Sequence, residues 1–308
     1  MSCVLCNKVS FETVSGVDAK SSERLLVSIC TNCGLVQQTP IPPTDELKIY
    51  YSHNYRADYK KTYSPKPKHV YRAAKIAMHR INFLHKHSVT AGTLMDVGAG
   101  GGEFVYLSGK MGFDSKGIEP NIGYSEYAKN EYGCTIETGE IENMNGQSDV
   151  ITMFHVLEHL ASPLIAMEKL YHSLNKHGVL FIEVPWIGTN DASPHNTYFK
   201  AHILYFSIDT LVSCASCFFD VLTIDTTSNL KVLFKAKKSP TVLRLPDRLS
   251  VDALKKRIKE KGWIEYLFAG KGLLKPIRKI ARSIEESRVN DLPGKKISDD
   301  ILIKNINC

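Results

Sequence analysis

Cys3 and Cys6, then Cys30 and Cys33, form two C-x-x-C pairs about two dozen residues apart. A thiolate at each end of such a pair can turn back onto one ion. Two pairs complete a tetrahedral sulfur sphere of the kind that holds Zn²⁺. Gly34, directly after the second pair, permits the tight turn that follows it. Four sulfur ligands close the sphere, so the ion is expected to be structural rather than catalytic. The other reading is four free thiols in a short β-hairpin. A second constellation is LMDVGAGGGEF at 94–104, with glycines at 98, 100, 101 and 102. Glycines let the backbone pass close to a ligand, and the helix start behind them offers unpaired N–H groups. Asp96 stands before the first glycine, and Glu119 follows it by 23 residues. A carboxylate at that second position can take both hydroxyls of a ribose. The pattern points to a bound nucleoside, though a glycine turn by itself serves many nucleotides.

The elements that must position these residues follow from periodicity. Leu94–Val97 reads as a buried strand and a helix starts near Glu103. A strand KGIEP ends on Glu119, and a helix covers about 122–132. Strands are expected at CTIET (134–138), DVITMFHV and GVLFIEVP (178–185), with a helix at about 162–175. FFDVLTIDTTSNLKVLFKAKK then reads as two alternating runs around a Thr-Ser-Asn turn. That hairpin puts an antiparallel strand into an otherwise parallel sheet. Ahead of the glycine turn, Ile76, Ile81, Phe83 and Leu84 recur at helical spacing between about Val70 and His87.

With these residues in view, 70–238 resembles a class I S-adenosylmethionine-dependent methyltransferase. The resemblance implies an α/β, Rossmann-like, seven-stranded sheet with one antiparallel strand. Here a small N-terminal zinc module precedes it and a helical C-terminal tail follows. The resemblance also implies that Asp96, Gly98, Gly100 and Gly102 wrap the methionine end of the cofactor and that Glu119 holds the ribose. Glu140, in TGEIENM, falls where the family often reads the adenine edge, and Phe154 and His155 fall where the fourth strand meets the cofactor. HVLEHL at 155–160 also spells H-x-x-E-H, an inverted zinc-protease pattern. It follows a strand end rather than lying on an exposed helical face, so the protease reading is set aside. Similar phrases follow the fourth strand of many small-molecule methyltransferases. A plain helix start, with His155 and His159 packed locally, remains the alternative. Cys214 and Cys217 make a further C-x-x-C without a partner pair and read as buried thiols.

The order of cysteine pairs (ending CGLVQ), tyrosine-rich segment and methyltransferase core is similar to bacterial sugar C-methyltransferases, which act on nucleotide-linked deoxysugars. YFKAHILYFSIDTL at 198–211 is similar to a stretch of that family whose second histidine is the proposed base. That role matches His202. Ala201 stands where the family has glutamate and Lys200 where it has histidine. O-methylation and C-methylation of a saccharide, such as a nucleotide sugar or surface-glycan precursor, are both open, and His202 suits either as base or as a group orienting the acceptor. Should His202 be structural, Tyr55, Tyr198 and His155 are next in line. Two alternatives remain. One is an RNA methyltransferase, disfavoured because residues 1–40 balance Lys8, Lys20 and Arg24 against Glu12, Asp18 and Glu23. The other is a cofactor-binding scaffold without turnover.

At 308 residues, 43% hydrophobic and 23% charged, the composition is that of a globular chain. No apolar run is long enough to span a membrane and no secretory signal opens the sequence, so the cytoplasm is the expected compartment. There, eight cysteines mean ligands or free thiols. Residues 1–240 carry 23 basic and 23 acidic groups and residues 241–308 carry 16 and 9, so the whole net charge of +7 lies in the tail. We expect a zinc-binding module at 1–43, a tyrosine-rich linker and helix at 44–92, the methyltransferase core at 93–240 and a basic amphipathic tail at 241–308. Leu273, Leu274, Ile277, Ile280, Ala281 and Ile284 make an apolar stripe flanked by Lys275, Arg278, Lys279 and Arg282. The stripe suits packing on the core or a second subunit, or peripheral contact with an anionic membrane.

Overall fold

The computed structural model describes residues 2–43, 46 and 64–306. Most of the tyrosine-rich stretch, Tyr55 included, lies outside them. Seven strands form the main sheet in the order β10-β11-β8-β7-β4-β5-β6. They are β4 (Gly92–Val97), β5 (Phe113–Glu119), β6 (Thr135–Thr138), β7 (Ser148–Phe154), β8 (Leu174–Val184), β10 (Phe219–Asp225) and β11 (Leu230–Ala236). β4 runs parallel to β5, and β5 to β6. β11 runs antiparallel to both β8 and β10. This is the mixed α/β sheet expected, closing hairpin included. By contacts the chain divides into two compact units, residues 1–47 with 153–275, and residues 48–152 with 276–308.

In the second unit, β4 is buried over Leu94–Val97, as a strand covered on both faces must be. Helix α1 (Pro67–Lys86) takes Pro67 in its first turn, where the missing N–H costs nothing. It buries Val70, Ala74, Ala77, Met78, Ile81 and Leu84, a helical stripe. Ile76, read from the sequence as part of that stripe, stands exposed instead. Helix α2 (Glu103–Lys110) starts on Gly102. Helix α3 (Ile122–Tyr132) is capped by Asn121, whose Oδ1 accepts the Tyr124 N–H at 3.1 Å. It ends on Gly133 in the left-handed region.

The first unit holds a small sheet of order β1-β2-β3-β9. β1 (Phe11–Val17), β2 (Arg24–Cys30) and β3 (Val36–Gln38) come from the cysteine-rich N-terminus. β9 (Leu204–Tyr205) comes from far along the chain and pairs antiparallel with β3, Val36 opposite Tyr205. The N-terminal module is therefore completed by the segment that carries His202. Helix α4 (Pro163–His172) precedes β8, and helix α5 (Ile208–Ala215) buries Cys214. Burial pushes the Cys214 thiol up, away from reactivity.

The C-terminal residues are helical and belong to both units. Helices α6 (Arg248–Glu260) and α7 (Trp263–Phe268) are part of the first, while α8 (Lys275–Ser287) lies almost wholly in the second and α9 (Gly294–Ile306) entirely so. α9 packs on α1 and α3, with Tyr106 Oη donating to Asp299 at 2.6 Å and Tyr132 Oη 3.2 Å from Ser298 Oγ. α8 is held to α1 by Arg72, whose guanidinium donates to both Glu286 oxygens at 2.5 Å. That docking leaves Ile277, Ile280 and Ile284 exposed. Among the described residues no helix is long and apolar enough to cross a membrane.

Candidate functional site

The glycine turn is built as its sequence requires. Gly98, Gly100 and Gly102 have φ of 76°, 57° and 85°, a region costly for any residue with a Cβ. The N–H groups of Gly98 and Ala99 donate to the Ile118 carbonyl at 2.8 and 3.0 Å, tying the turn to β5. Glu119, buried at the end of β5, accepts the Gly100 N–H on Oε2 at 2.8 Å and the Asn121 N–H on Oε1 at 3.1 Å. Its carboxylate thus clamps the turn. Asp96 is buried and accepts from Thr152 Oγ1 at 2.6 Å. Burial pushes its carboxyl up to about 7, against the Thr152 hydrogen bond, with Glu119 adding to the rise and Arg80 opposing it. Asp96, Gly98, Gly100, Gly102 and Glu119 therefore gather at one end of β4 and β5. Glu140 caps a short 3₁₀ turn, Ile141–Asn143, in a reciprocal capping arrangement.

In the first unit a second cluster forms around Glu158. β7 ends in Phe154, stacked edge-on against Phe181 with ring centroids 5.1 Å apart. His155 follows at φ 56°, a strained conformation for a non-glycine residue. His155 Nδ1 lies 3.2 Å from Glu158 Oε1, and its Nε2 lies 3.5 Å from Glu183 Oε1. Burial alone would depress this histidine, but the hydrogen bonds to Glu158 and Glu183 raise it to about 9. Glu158 is 1% exposed. Burial would raise it, but the His155 bond holds it down at about 2.

His159 and His202 complete the cluster, their ring centroids 5.1 Å apart. His159 Nδ1 lies 2.6 Å from the Ala201 carbonyl, which only an N–H can satisfy, so Nδ1 is protonated and donates there. Burial pushes His202 down to about 3 and keeps it neutral. The loop bearing it is fixed from several sides. Gln38 Nε2 donates to the carbonyls of Lys200 and His202 at 2.9 Å each, and the Ile203 N–H donates to the Glu158 carbonyl at 2.9 Å. Asp18 accepts the Lys200 N–H at 2.5 Å, and the Ala19 N–H donates to the Tyr198 carbonyl. Sequence reasoning singled out His202 and His155 but not Glu158, the buried carboxylate that faces both them and His159. The signal was present in H-x-x-E-H, but only the 3₁₀ turn Leu157–His159 shows how it folds inward.

The four N-terminal cysteines also converge. All four Sγ atoms lie within 4.8 Å of one another. Cys3 Sγ is 3.5 Å from Cys33 Sγ, and Cys6 Sγ is 3.5 Å from Cys30 Sγ. Tetrahedral thiolates at about 2.3 Å from Zn²⁺ would stand about 3.8 Å apart. Hydrogen bonding among the thiols favours one thiolate, lowering Cys30 through Cys3 and Cys33 and raising Cys33. Four convergent sulfur donors fit one divalent cation.

Residues 69–216 match a family model described as a methyltransferase domain. Among curated proteins, the ubiquinone biosynthesis O-methyltransferase of Methylococcus capsulatus is 33% identical over 27% of this chain and 40% of its own length. The protein of the same name from Pseudomonas paraeruginosa is 27% identical over 33% of this chain and 49% of its own length. The chain thus spans less than half the length of these curated relatives. Among solved structures, magnesium protoporphyrin IX methyltransferase from Synechocystis PCC 6803 aligns with a TM-score of 0.49 and 12% identity, over 63% of this chain and 99% of its own. Residues 69–216, just under half of the chain, thus match a methyltransferase domain, and the seven-stranded mixed sheet is the fold of class I methyltransferases.

Proposed function

We propose that this methyltransferase domain holds S-adenosylmethionine on the 98–102 turn and methylates a small molecule, a saccharide hydroxyl or ring carbon foremost. The observation that carries the reading is the turn itself: three left-handed glycines locked to a buried Glu119. Bound there, the cofactor supplies an electrophilic methyl group on a sulfonium. Glu119 would accept from the ribose hydroxyls, and the glycine backbone leaves room for the methionine end. Glu140 is the residue proposed to read the adenine edge. His202 orients the acceptor, since a histidine held near 3 is a weak base at neutral pH. Cys3, Cys6, Cys30 and Cys33 would hold a structural Zn²⁺, and the β3–β9 pairing gives that module a task in fixing the His202 loop.

A second acceptor reading is supported by the names of the two curated relatives, O-methyltransferases of ubiquinone biosynthesis. It favours an oxygen nucleophile on a non-sugar small molecule. Incubating the purified chain with methyl-labelled S-adenosylmethionine and a panel of nucleotide sugars and ubiquinone precursors separates the two. Label on a nucleotide sugar supports the saccharide, and label on a ubiquinone precursor supports the second reading. A chain that binds the cofactor yet labels neither set contradicts both acceptor classes.

A further inference from the structure

We infer that Glu158, His159 and His202 form a binding site for one divalent transition-metal ion, separate from the four cysteines and open to an oxygen ligand. One Glu158 carboxylate oxygen and a ring nitrogen from each histidine lie within 4.8 Å of one another. Two imidazoles and a carboxylate are a donor set for first-row divalent ions, and three protein ligands leave positions free. Donors around an ion at about 2.1 Å stand about 3.0–3.5 Å apart. Glu158 and His159 approach to 4.0 Å through Oε1 and Nε2, so the two side chains already face one another.

Four observations converge on an ion rather than on a closed hydrogen-bond network. Glu158 is 1% exposed, yet its Oε2 has no hydrogen-bond partner. Protein interiors rarely leave a buried carboxylate oxygen unmet. His159 commits its Nδ1–H to the Ala201 carbonyl, and its Nε2 faces Glu158, 4.0 Å from Oε1. An outer hydrogen bond of that kind accompanies metal-bound histidines generally. Third, His155 supports Glu158 from behind through Oε1, leaving Oε2 for the ion. Fourth, the Glu158 and Glu183 carboxylates both lie against the His155 ring, at 3.2 and 3.5 Å, so two acidic side chains converge beside the site. The supports are rigid, since Gln38 and the Glu158–Ile203 backbone bond hold the two ligand-bearing loops together.

The inference rests on the methyltransferase reading only for its use. An acceptor hydroxyl on such an ion gives up its proton to solvent more readily, and its oxygen stays on the ion as the nucleophile.

The test uses the full chain and Mn²⁺, which suits nitrogen and oxygen donors rather than a thiolate set. The free-ion signal in electron paramagnetic resonance reads binding, and calorimetry on the same samples reads S-adenosylmethionine. One Mn²⁺ per chain is expected, with affinity falling at least about tenfold in Glu158→Gln, in His159→Ala and in His202→Gln while the cofactor still binds. Retained cofactor binding shows that the variants fold. No Mn²⁺ binding by the parent chain overturns the site whatever the variants do, and so does binding that all three folded variants retain. Mn²⁺ binding without cofactor binding would keep the metal site and overturn the proposed function. Cofactor binding without Mn²⁺ would do the reverse.

Discussion

Replacing Gly102 by alanine separates two costs that the turn imposes. Gly102 sits at φ 85° and ψ 2°, where a Cβ costs roughly 1–2 kcal/mol. A Cβ there would also stand 2.6 Å from Ala128 Cβ and 3.2 Å from Ile136 Cδ1. Ordinary carbon contacts are about 3.5–4.0 Å. Both neighbours belong to a tight buried cluster with Ala99 and Val105, so overpacking adds about 1–3 kcal/mol. Reduced freedom of the unfolded chain returns about 0.4–1 kcal/mol. The net expectation is a loss of roughly 2–4 kcal/mol. Two glycines calibrate it. Gly133 has φ 69° but nothing within 4 Å of a built Cβ, so Gly133→Ala should cost about 1 kcal/mol from strain alone. Gly109, near the end of α2, has open space and no positive φ, so Gly109→Ala should stabilise by up to about 1 kcal/mol. Urea unfolding followed by circular dichroism measures all three. Should Gly102→Ala prove no more costly than Gly133→Ala, the close packing of the turn against α3 is wrong.

Two further outcomes follow. Asp96, raised to about 7 from an ordinary 3.8, keeps in the folded state a proton that the unfolded chain releases. Its contribution to stability is therefore complete below about pH 4, falls as pH rises to about 7, and is constant above. Cofactor-free Asp96→Asn should gain on the parent across that window by as much as a few kcal/mol, on the order of 4, in paired urea titrations; a constant difference would contradict the burial of an ionisable Asp96. For the cysteine cluster, elemental analysis should find zinc in the parent, and Cys30→Ser should lose it while Cys214→Ser retains it. Metal-free parent protein with unchanged stability would contradict the zinc assignment.

The parts of this molecule visible in its sequence are those set by short-range rules. Gly98, Gly100 and Gly102 were readable because only glycine takes three left-handed positions in one turn without cost. Asp96 and Glu119 were readable from their places before the glycine turn and at the end of KGIEP, 23 residues apart. α3 was legible in its extent, about 122–132, while its Asn121 cap and Gly133 stop emerged from the structure. What escaped depends on residues far apart in the chain. β9 is two residues long and carries no periodicity of its own, so its pairing with β3 appears only in three dimensions. Glu158 looked like one letter of a helix start. Its meaning comes from His202, 44 positions on, and from the Gln38 bonds that hold that loop. The C-terminal stripe was legible as amphipathic, but the sequence had no means of showing that Arg72 and Glu286 would dock α8 by its polar side.

The claim that everything else depends on is cofactor binding by the 98–102 turn and Glu119. Isothermal calorimetry of S-adenosylmethionine with the full chain and with Glu119→Ala tests it directly. The parent should bind one molecule per chain. Losing charge-assisted hydrogen bonds worth roughly 1.5–3 kcal/mol should weaken the variant by about 10- to 200-fold. A parent that does not bind, or a folded Glu119→Ala that binds as the parent does, would contradict the account.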